Sequence, residues 1–179
     1  GVAFLAASEA NVAWYTGHEQ FASIGPDKVN QLRHVEFFGS AQGVRDHMAK
    51  HRAILAPKFA AVDTALSTEL AGLGIADWSK PTGGYFVNLD VLDGTATRVV
   101  ALAKEAGIVL TPAGASYPYG KDEHDRNIRL APSFPTLGEV ETAMAGVATC
   151  VALAAAESLA AGHDDKVAYE PSIGNPEGA

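Results

Sequence analysis

A single cysteine, Cys150, is all the thiol this 179-residue chain carries, which excludes an internal disulfide framework and a thiolate metal cluster. It sits in Val147 Ala148 Thr149 Cys150 Val151 Ala152 Leu153, where a small buried apolar role outweighs that of a nucleophile. Positive charge is also short. The 13 Lys and Arg against 21 Asp and Glu give a formal net charge of −8, the wrong sign for a nucleic-acid or anionic-membrane surface. The longest apolar stretch, around Ala143 to Ala156, reads as too short for a membrane span. No signal peptide opens the chain, and neither a G-x-S-x-G nucleophile turn nor a glycine-rich phosphate loop occurs. With 47% hydrophobic and 19% charged residues, the expectation is a cytoplasmic globular protein with a sizeable core.

Six histidines invite a search for a metal site. His47 and His51 have the i, i+4 spacing of a zincin pair, but Met48 stands where the glutamate should follow the first histidine. A solvated helix face is the better reading. The run Lys121 Asp122 Glu123 His124 Asp125 Arg126 lacks the ordered oxygen spacing of a calcium loop and reads as exposed loop. No metal is expected.

The chain begins without methionine, at Gly1 Val2 Ala3 Phe4 Leu5 Ala6 Ala7, in what reads as a buried strand. That abrupt start predicts a piece of a longer protein whose preceding part holds more of the sheet. Ser8 then caps a helix reaching towards Phe21, and Pro26 is placed to open a second one that stops at Gly39. A long helix is expected over about Gln42 to Leu70, kinked at Pro57. Tyr85, Val87 and Leu89 alternate with Phe86, Asn88 and Asp90, a strand approached through Gly83 and Gly84, which read as a site where another backbone passes closely. A helix from about Thr95 to Ala106 and a strand Ile108 Val109 Leu110 complete a strand, helix, strand unit. The loop from Ala113 to Arg126 reads as mobile or site-forming. The last helix opens on a capping box formed by Thr136 and Glu139. A poorly ordered tail is expected from about residue 159.

Arg129 is the most informative residue. It stands in Asn127 Ile128 Arg129 Leu130 Ala131 Pro132, an apolar strand-like run, and a guanidinium there must find an anion because an unpaired buried charge is too costly to keep. The partner is a carboxylate held bidentately. It comes either from the protein, with Asp90, Asp93 or Glu105 as candidates, or from an acidic ligand such as an amino acid.

Three motifs in order, Pro81 Thr82 Gly83 Gly84 Tyr85 Phe86 Val87 Asn88 Leu89 Asp90, then Thr111 Pro112 Ala113 Gly114, then Asn127 Ile128 Arg129 Leu130 Ala131, resemble the C-terminal part of a fold type I aminotransferase dependent on pyridoxal phosphate. The run Ser23 Ile24 Gly25 Pro26 Asp27 Lys28 Val29 Asn30 Gln31 Leu32 Arg33 His34 is similar to a bacterial aspartate aminotransferase subgroup related to MocR aminotransferase-like domains. The resemblance implies an α/β fold with an α+β small domain. It divides the chain into the end of the large domain (1–40), an interdomain helix (41–72), a small domain (73–158) and a tail (159–179).

The resemblance further implies that Arg129 binds the α-carboxylate of an amino or 2-oxo acid, and that aspartate or glutamate is the amino donor. The cofactor lysine would lie upstream of Gly1, so no catalytic residue falls in this chain and the isolated chain should be inactive. The loop holding Ser23, Gly25 and Asn30 resembles a segment that approaches the partner subunit's active site in a homodimer. The alternative is the ligand-sensing domain of a MocR-type transcription regulator, which keeps the fold without turnover and carries a winged-helix segment upstream.

Overall fold

The computed structural model describes residues 2–162. The chain divides into two compact units, Gly1–Arg52 and Ala53–Ala179.

The first unit is helical. Helix α1 (Glu9–Ala22) starts where Ser8 accepts the backbone N–H of Asn11, as its sequence predicts. Helix α2 (Lys28–Phe38) is capped by Asp27, which accepts from the N–H of Asn30, and ends at Gly39 with φ of 65°. Pro26 therefore lies outside the helix. It is Asp27 that opens it, because a carboxylate can satisfy an orphan N–H and a proline cannot. Neither α1 nor α2 buries a residue, and Trp14, Phe21 and Phe37 stay exposed. Residues 2–7 form no strand, and Phe4 is 95% exposed. An apolar run has strand propensity, but a strand needs a neighbour's N–H and C=O groups, and none pairs with it among the described residues. His47 and His51 stack at 4.5 Å between ring centroids, with Phe37 and Phe38 edge-on to His47 at 5.3 and 5.4 Å.

Helix α3 (Ala41–Leu70) runs from the first unit into the second and contains Pro57. In the second unit its residues Val62, Leu66 and Leu70 reach the core. Three antiparallel strands follow in the order β1 (Ala76–Trp78), β2 (Val87–Val91) and β3 (Asn127–Leu130), with α4 (Ala96–Glu105) between the last two. Val87, Leu89 and Val91 from β2 and Ile128 and Leu130 from β3 point one way, against Val99 and Ala103 of α4 and Val62 and Leu66 of α3. Strand β1 carries no run of alternating apolar residues long enough to reveal it.

The segment Ile108–Leu110 is not a strand. The Ile108 N–H is taken by Ala103 in closing α4, Val109 is 91% exposed, and Ile108 and Leu110 only rest on the core. The expected strand, helix, strand unit ending at Ile108–Leu110 is therefore replaced by α4 connecting two antiparallel neighbours, β2 and β3. The glycines at Gly83 and Gly84 differ from expectation too: nothing approaches either one, and Gly84 is used for its φ of 86°. The close backbone approach occurs at Gly114, where a Cβ would meet the Gly120 carbonyl oxygen at 2.6 Å.

Helix α5 (Leu137–Ala160) begins with the complete Thr136–Glu139 capping box. Its length and composition suffice for crossing a membrane, contrary to the sequence expectation. Its apolar side is taken up by the core instead, through Val140, Met144, Val147, Ala148, Cys150, Val151 and Ala154. It extends through Ala160, and 163–179 of the expected tail lie outside the described residues.

Candidate functional site

Strand alternation gives the small sheet a second, polar face. The register pairs Asn88 with Arg129 and Asp90 with Asn127 across β2 and β3. Since Leu89, Ile128 and Leu130 occupy the core side, these four polar residues must share the other side.

Asp90 organises two of the others. It accepts from Asn88 Nδ2 at 3.1 Å and from Asn127 Nδ2 at 2.7 Å, while Asn127 Nδ2 also donates to Asn88 Oδ1. With both amide hydrogens committed, Asn127 holds its Oδ1 buried with no partner. The carboxylate thereby fixes which way the amide points.

Arg129 is left out of this network. It belongs to none of the ion pairs among the described residues, and its Nε is buried without a hydrogen-bond partner. Of the carboxylates that could have neutralised it, Asp93 faces His124 at 3.0 Å and Arg126 at 3.7 Å, and Glu105 stands 3.9 Å from Arg98. Asp90 takes the two asparagines. Arg129 instead lies against Phe86, whose ring centroid is 4.7 Å from Cζ of the guanidinium. A cation over an aromatic face is stabilised without being neutralised, so the charge remains available to an anion.

The start of β3 is held in place by Asp122. Its Oδ2 accepts the backbone N–H groups of Arg126 and Asn127, each at 2.8 Å, and its Oδ1 that of His124 at 3.1 Å. Burial works against its charge, but the donated N–H groups prevail and hold the carboxyl below the usual range. Burial, then the nearby charges of Asp122 and Asp90, pushes the Tyr117 phenol up. Asp125, with φ of 44°, binds the N–H and hydroxyl of Thr97 in the first turn of α4. The acidic oxygens of 121–126 thus serve the backbone, and no cluster able to hold a metal occurs among the described residues.

A cleft of about 120 Å³ borders Arg129, lined also by Ile108, Thr111, Pro132, Pro135 and Met144 among others, and it contains no lysine. Beside it, Lys58 of α3 is buried and donates to the Ser133 carbonyl at 2.8 Å, four residues beyond Arg129. A second cleft of about 190 Å³ holds Phe59, Trp78 and Lys80, but its acid, Asp63, is already bound to Trp78 Nε1 and Lys80.

The first unit holds the remaining expected site residues. Ser23 closes α1 and its hydroxyl donates to the Gly25 carbonyl at 2.9 Å, while the Asn30 carbonyl accepts from His34 Nδ1 at 2.7 Å. Ser23 and Gly25 are exposed and Asn30 is half-buried.

The aspartate amino-transferase family model matches residues 1–163. The chain belongs to the aspartate aminotransferase family. An aspartate aminotransferase of Corynebacterium glutamicum is 58% identical over 160 residues, covering 89% of this chain but 37% of the relative. An aspartate transaminase structure from that organism superposes with a TM-score of 0.75 at 59% identity, covering 84% of this chain and 35% of that one. An α-aminoadipate aminotransferase, LysN of Thermus thermophilus, shares the fold at a TM-score of 0.66 and 18% identity, over 84% of this chain and 38% of its own. The chain therefore spans little more than a third of its relatives' length.

Asn127, Asp122 and Phe86 were not singled out by the sequence. The Asp122-x-His124 turn just after Gly120 was a readable signal for an Asx-type anchor. The Asn127 amide and the Phe86 stack depend on strand pairing, which no local pattern displays.

Proposed function

We propose that this chain is the C-terminal portion of an aminotransferase that moves an amino group between an amino acid, aspartate or glutamate, and a 2-oxo acid in the cytoplasm. The carrying observation is Arg129: a half-buried guanidinium with an orphaned Nε and an aromatic ring against it, which takes part in none of the ion pairs among the described residues. A planar fork of this kind suits the α-carboxylate of the substrate, two N–H groups meeting two oxygens. Holding both oxygens stops rotation of the carboxylate and so aims the bonds at Cα.

The described residues do not by themselves fit pyridoxal phosphate, because the cleft beside Arg129 contains no lysine and Lys58 and Lys80 are bound to Ser133 and Asp63. Family membership supports a cofactor held by the remainder of a protein of the relatives' length, where it would act as an electron sink for the substrate carbon. The same reading assigns 1–40 to the end of a large domain, 41–72 to an interdomain helix, 73–158 to the small domain, and the Ser23–Asn30 loop to a dimer contact. The test is Arg129→Ala in a protein of the relatives' full length. Loss of two charge-assisted contacts should lower kcat/KM by at least about 100-fold, mainly through KM. Kinetics near those of the unmodified protein would rule out the assignment.

A further inference from the structure

We propose that Phe86 is a positioning residue that sets the plane of the Arg129 guanidinium and so tunes how tightly carboxylate ligands bind. The inference rests on Arg129 being the carboxylate clamp. Phe86 and Asn88 lie two residues apart along the same chain, and Asn88 stands directly opposite Arg129. This places the ring diagonally across from the cation, within reach of an aromatic side chain.

The backbone on both sides of Phe86 is constrained. Gly84 adopts φ of 86°, and the N–H of Asn88 donates to Ser79 Oγ at 2.9 Å while its carbonyl accepts the Ser79 N–H at 2.9 Å. The amides of Asn88 and Asn127 are committed to Asp90 and to each other, so neither swings over to bind the guanidinium. The ring at 4.7 Å is the contact by which Phe86 sets the guanidinium's tilt. The ring lies against the guanidinium without taking up any of its N–H groups. An aliphatic side chain would shield the same area but would lack the quadrupole that attracts the cation.

The experiment uses a protein of the relatives' full length, loaded with its cofactor, and succinate as an unreactive carboxylate probe measured by calorimetry. Arg129→Gln serves as the reference and should abolish detectable succinate binding. Phe86→Leu should weaken succinate on the order of five- to tenfold. It should raise KM for the amino acid by the same factor with kcat unchanged, and Phe86→Tyr should restore both. If Phe86→Leu binds within about twofold of the unmodified protein, or lowers kcat with KM unchanged, the stacking role is overturned while the clamp stands. If Arg129→Gln binds succinate normally, the clamp itself is wrong and the role of Phe86 goes with it.

Discussion

Asp125 caps a helix to which it does not belong. Its Oδ1 accepts the backbone N–H of Thr97 at 3.0 Å and the Thr97 hydroxyl at 2.6 Å, while Thr95, the residue at the start of α4, makes no capping bond with its own side chain. The loop carrying Asp125 runs directly into β3, so the helix start and the Arg129 strand are fastened at one residue.

Removing that fastening should be measurable. Asp125→Ala is expected to cost about 1 kcal/mol as a lost cap, with some added cost because alanine tolerates a φ of 44° less well than aspartate does. Asp125→Asn keeps the acceptor and the tolerance for that backbone region. The denaturant midpoint should fall clearly for the first variant and little for the second; equal midpoints would contradict the capping role.

Asp122 makes stability depend on pH. Its folded-state carboxyl titrates below the unfolded value of about 3.9, so its contribution is complete above that pH and is lost as pH falls through the lower folded value. Asp122→Asn should flatten the acid limb of the stability profile. Asp122→Ala leaves the Arg126 and Asn127 N–H groups without their acceptor and should cost about 1–3 kcal/mol near neutral pH. Urea titrations at a series of pH values separate the two effects, and an unchanged acid limb in Asp122→Asn would refute the assignment.

Two glycines should respond differently to alanine. At Gly114 the new Cβ meets backbone, the Gly120 carbonyl oxygen at 2.6 Å, and φ is +76°. Backbone cannot step aside, so the loss should reach about 2 kcal/mol or more. At Gly146, within α5, the obstacle is Ile108 Cδ1 at 2.5 Å, the tip of a side chain that can rotate. A helix-propensity gain of up to about 1 kcal/mol offsets that adjustment, and thermal unfolding of Gly146→Ala should stay close to the parent.

Features written in adjacent residues were legible in the sequence: the Ser8 cap, the Gly39 stop, the Thr136–Glu139 box and the Arg129 strand. Features that need a distant partner were not. The runs 2–7 and Ile108–Leu110 look like strands because apolar β-branched and aromatic residues favour the pleat, yet a ladder depends on a second chain segment, and the first has none among the described residues. Conversely, Ala76–Trp78 has little strand character and becomes β1 because Val91, Asp90 and Leu89 lie opposite it. Arg129 was found because a lone cation in an apolar run is conspicuous. Its surroundings were not, since Phe86 and Asn88 come up to it only after β2 and β3 pair.

The Lys58 ammonium joins α3 to the Ser133 carbonyl just past β3. That bond makes the middle of the long helix and the arginine-bearing strand mechanically continuous. If a carboxylate binds Arg129 as proposed, it should also damp motion in the turns around Lys58, and slower amide exchange there would report its occupancy from the helix side.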